Sequence, residues 1–126
     1  MTIPGLSNLS AVSVQQLLDA GLLTVQTIQK YAQAVVALIQ GAITLEQFFA
    51  TPEVQQVRQV LQSQHLLDHP ATEDDLAGWT PSGDWLTDAE ISQRVTDITQ
   101  AVALGQWVSG FMMAVQLMML AAGGGA

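Results

Sequence analysis

Residues 87–122 read TDAEISQRVTDITQAVALGQWVSGFMMAVQLMMLAA, and the reading of this stretch decides the fold. Thr87 with Glu90 three positions on is a capping box, the hydroxyl and the carboxylate each meeting a free backbone N–H at a helix start. Ile91, Val95, Ile98 and Val102 then recur at spacings of four, three and four, and Gly105, Ser109, Met112, Gln116 and Met119 continue the alternation. A strand repeats every two residues; a 3–4 alternation is the stripe of a packed helix. From Leu104 a second stripe joins it through Val108, Phe111, Val115 and Met118. The spacing predicts one long C-terminal helix over 87–122, one-sided to residue 102 and apolar on most faces beyond it. At about 1.5 Å per residue, 35 residues from 88 to 122 would reach about 52 Å. That exceeds the rest of so small a domain, so the far end is expected to be covered by something other than its own small core.

Two coverings suit the segment. Ala101 to Ala122 is free of charged side chains. In the leading reading it packs against partner protein chains. Gly105 and Ser109 then allow close approach, and Trp107, Phe111, Met112 and Met119 supply large, adaptable contacts. In the alternative it enters a membrane, because about 20 apolar residues cross a bilayer. Small residues four apart, Ala101, Gly105 and Ser109, then Gly110 and Ala114, suit helix pairing there. Gln106 and Gln116 interrupt the span, however, and no Lys or Arg flanks it to set an orientation.

Upstream, residues 1–67 read as an N-terminal helical bundle. Ser10 caps a helix expected over Ala11–Ala20 with Leu9, Val12 and Leu17 on its inner face, and Gly21 stops it. Val25, Ile28, Ala32, Val35 and Ile39 mark a second helix that ends at Gly41. Thr44 with Gln47 opens a short turn carrying Leu45, Phe48 and Phe49. Thr51-Pro52-Glu53 then opens a helix with Val54, Val57 and Leu61 facing inward. Residues 68–86 form an acidic loop broken by Pro70, Gly78, Pro81 and Gly83. Its Trp79 and Trp85 are candidate interface anchors, or covers for the chain's own core. Residues 123–126 are a Gly-rich tail.

Composition narrows the function. Charged residues are only 11 % of the 126, against a usual share of about 25 %, and three basic side chains face eleven acidic ones. So few cations cannot neutralise many phosphates, which argues against nucleic acid. Cysteine is absent, removing disulfide scaffolds and thiol chemistry. The negative charge is concentrated in residues 68–97, where eight acids face Arg94 alone. The N-terminus shows no signal-peptide pattern.

Little chemistry is on offer. His65 and His69 have the four-residue spacing of zinc ligands, but Leu66 stands where a glutamate is expected and no third ligand is evident. Glu73-Asp74-Asp75 lacks the alternating ligands and glycine of a calcium loop. No nucleophile elbow or phosphate loop appears. The expectation is an all-α protein, a small helical bundle followed by a long apolar helix, with no enzyme activity, cofactor or metal. Its expected role is a structural subunit of a homo-oligomer or larger multi-copy assembly, such as a phage or virus particle.

Overall fold

The computed structural model describes residues 10–64 and 87–123, with side chains described through Met118. Those residues form α1 (Ala11–Asp19), α2 (Val25–Ile39), α3 (Leu45–Ala50), α4 (Pro52–Ser63), α5 (Asp88–Ala103) and α6 (Trp107–Gly123), with no strand among them. The protein is all-α.

Local chemistry sets the helix starts. The Ser10, Thr24, Thr44 and Thr87 hydroxyls each accept from the N–H three residues on. The Gln47 and Glu90 side chains return a bond to the N–H of Thr44 and Thr87. Thr51 behaves otherwise than expected: its hydroxyl donates to the Gln47 carbonyl at 2.9 Å, and α4 starts on Pro52 without a side-chain cap. With one residue between α3 and α4, that hydroxyl serves the end of α3.

Three helix ends share one device. Gly21, Gly41 and Gly105 all stand at φ near +75°, after α1, α2 and α5. In each, the N–H one residue beyond the glycine reaches back to the last turn: Leu22 to Leu17, Ala42 to Ala37, and Gln106 to Ala101 at 2.8 Å. This 6→1 bond is the Schellman motif, and a left-handed residue there costs glycine nothing.

The third motif corrects the C-terminal expectation. The helix over 87–122 is not continuous: it ends at Ala103, turns through Leu104, Gly105 and Gln106, and restarts at Trp107. The 3–4 spacing runs through the break, but α6 folds back onto α5 and only the first half of the stripe faces the core: Val95 and Ile98 are buried, while Gly105 and Ser109 are exposed. Gly110 permits the close approach. A Cβ there would stand 3.2 Å from a Val102 methyl and 3.5 Å from Ala101 Cβ.

α6 packs against α1, α2 and α5, and α2 against α3, α4, α5 and α6. Between Gly110 and Met118 no residue is exposed. A helix apolar on every face is a buried helix, and here the chain's own helices bury it. Phe111 and Leu117 are fully covered, joined by Ile28 and Val35 from α2, Val54 and Val57 from α4, and Ile98 from α5. Tyr31 links the aromatic groups, 5.6 Å from the Phe111 ring and 6.5 Å from that of Phe48. Phe49 meets Phe48 edge-on and carries the Arg58 guanidinium 5.0 Å above its face. On α1 the buried positions are Val14 and Leu17; Val12, expected inside, is 68 % exposed. At about 100° per residue it lies some 200° around the helix from Val14.

Candidate functional site

The turns after α1 and α5 lie side by side at one end of the bundle. Between them runs a groove of about 670 Å³, walled by Gln15, Leu18, Thr24 and Val25 on one side and by Gln106 and Trp107 on the other. None of its lining side chains is charged. The exposed large hydrophobic residues include Leu22 and Val25 at the first turn and Leu104, 73 % exposed, at the second. Asp19 stands one helical turn beyond Gln15, whose amide donates to its carboxylate at 3.0 Å.

A second groove, of about 480 Å³, follows the contact of α2 with α5. Val36, Ala37, Ile98 and Val102 make it apolar, and Gln33 and Thr99 add amide and hydroxyl groups. The Thr99 hydroxyl already donates to the Val95 carbonyl at 2.8 Å.

The structure gathers part of the expected interaction set. Gly105, Trp107 and Ser109 come together on the first groove, Trp107 half-buried and Ser109 exposed. Phe111 does not join them. It is fully covered within its own chain, so its packing is internal. Met112 is half-buried and packs on the core. Met119 lies on α6, its side chain outside the described set. Trp79 and Trp85, and the histidine pair at 65 and 69, also lie outside the described residues.

Missing from the sequence reading were the partners across the groove, Gln15, Leu18, Thr24 and Val25. A signal for them exists in the stretch Gly21-Leu22-Leu23-Thr24, matched by Gly41-Ala42-Ile43-Thr44: glycine stop, apolar residue, then the next helix cap.

The groove offers the hydrogen-bonding groups of Gln15, Thr24, Gln106 and Ser109 beside apolar contact. Among the described residues, no group of three or more His, Cys, Asp or Glu is placed to hold a metal ion. No described helix is long and apolar enough to cross a membrane. No family model matches the chain, and neither a curated protein nor a solved structure does so.

Proposed function

We propose that the protein is a non-enzymatic structural subunit that associates with further copies of itself in a larger assembly. Contact is made at the bundle end formed by the two glycine turns. The observation behind this reading is the uncharged groove between those turns, with Val25 in its wall and Leu22 and Leu104 exposed on the turns themselves. A chain of net charge −8 repels its own copies. A neutral, apolar face is where two such chains can meet without opposing carboxylates, and buried apolar area drives that contact.

Val25→Asp tests the reading. Val25 is the first residue of α2, where an acid suits the positive end of the helix dipole, so the fold is preserved. Native mass spectrometry and light scattering should find a defined oligomer for the wild type. The variant should be shifted toward monomer with unchanged helical circular dichroism. A wild type that stays monomeric at high micromolar concentration overturns the proposal.

A further inference from the structure

We infer that α6 is exchangeable between copies: the α5–α6 hairpin opens about Gly105 into one continuous helix, and α6 fills the core of a second copy. The inference rests on the self-association proposed above and names how two copies are joined.

Three observations carry it. The first is the stripe of Ile91, Val95, Ile98 and Val102, which continues at unbroken 3–4 spacing through Gly105 into Ser109 and Met112. A turn with no alternative has no reason to keep that phase. In one straight helix both halves would form a single stripe.

The second is Leu104, 73 % exposed in the hairpin. In a continuous helix it stands four residues before Val108, in line with Phe111, Val115 and Met118, which are buried. Among the described residues, the most exposed large hydrophobic side chain of the hairpin thus belongs, by spacing, to a core stripe.

The third is the hinge itself. It comprises three residues, with one left-handed glycine at φ +75°. Exchange of an identical element keeps the core contacts and changes only the hinge, and short hinges favour it. Opening turns Gly105 from a left-handed to a right-handed helical residue, both of which glycine adopts.

A cysteine pair reads the connection directly. The chain has no cysteine of its own, and a Cβ on residue 110 would lie 3.5 Å from Ala101 Cβ. That is at the short end of the roughly 3.5–4.5 Å a disulfide spans. In the hairpin, Ala101→Cys with Gly110→Cys closes within one chain. In a continuous helix the same residues of one chain are about 14 Å apart, nine residues at about 1.5 Å each. They then bond only to the other copy. Oxidation of the native full-length protein, followed by non-reducing electrophoresis, should give covalent dimers. Exclusively intrachain bonds in a protein that native mass shows to be oligomeric overturn exchange and leave the assembly reading standing. A monomeric protein with intrachain bonds overturns both.

Gly105→Ala gives an independent check without cysteines. An alanine at positive φ is strained in the hairpin and relaxed in the helix, so the exchanged-to-closed ratio should rise about tenfold or more. Inserting Gly-Ser-Gly after Gly105 relieves the hinge and should return the protein to monomer. Unchanged mass distributions in both variants count against the exchange.

Discussion

Tyr31 shows how one side chain couples the core to solution conditions. Burial pushes its phenol well above the ordinary value of 10.0, and the nearby positive charge of Arg58 offsets part of that rise. The folded state therefore favours the neutral phenol. Its contribution to stability is complete below pH 10.0, the unfolded value, and is lost as pH climbs from there toward the raised folded value. The unfolding free energy from denaturant titrations should fall above pH 10.0 by about 1.4 kcal/mol per pH unit from this group, and Tyr31→Phe should remove that part of the slope. Because the chain has a single tyrosine, tyrosinate absorbance should appear together with the loss of helical signal. A phenol that ionises while the helices persist would refute the burial argument. Arg58 belongs to the same cluster. Its Nε is buried without a hydrogen-bond partner, and the Phe49 ring beneath it supplies the compensating attraction.

Among the elements, the glycine turns can be tested one at a time. At Gly21 a Cβ would meet nothing within 4 Å, so any cost of Gly21→Ala is backbone strain at φ +76°. We expect a loss of about 1–2 kcal/mol in chemical denaturation, with Gly21→Asn milder because asparagine tolerates the left-handed region. Equal, negligible losses in both would show that the turn relaxes. Element starts were the most legible feature of the sequence. Thr44 with Gln47 and Thr87 with Glu90 were found to the residue, because these caps bond within three positions. The inner face of α4, Val54, Val57 and Leu61, was legible for the same local reason. The break at Leu104–Gln106 was not. The 3–4 spacing carries on across the turn, so spacing alone reads as one helix.

On the scale of the whole molecule, the sequence did not show that α6 is covered between Gly110 and Met118 by helices of its own chain. An apolar helix must be covered, and whether its own chain covers it depends on contacts between segments far apart in sequence. The candidate groove has the same character. Gly105, Trp107 and Ser109 were singled out, while Thr24 and Val25 opposite them come from about eighty positions earlier. Charge also acts at this scale. A net −8 with few cations strains the compact state through self-repulsion, and added salt screens it. Raising NaCl from roughly 0.01 to 0.1 M shortens the screening length from about 30 to about 10 Å, so the melting temperature should rise. A fall would mean that attractive pairs outweigh the repulsion.

The packing of α6 on α1, α2 and α5 also sets the order of events on the ribosome. This helix is the last of the six described to be made, more than sixty residues after α2 is complete. At roughly 5–20 residues per second, the inner faces of α1 and α2 wait several seconds for it. Until then the nascent chain presents Tyr31, whose ring meets that of Phe111, without the helix that completes its packing. This makes it a natural client for a chaperone that holds apolar segments during synthesis, and ties its yield in the cell to translation speed.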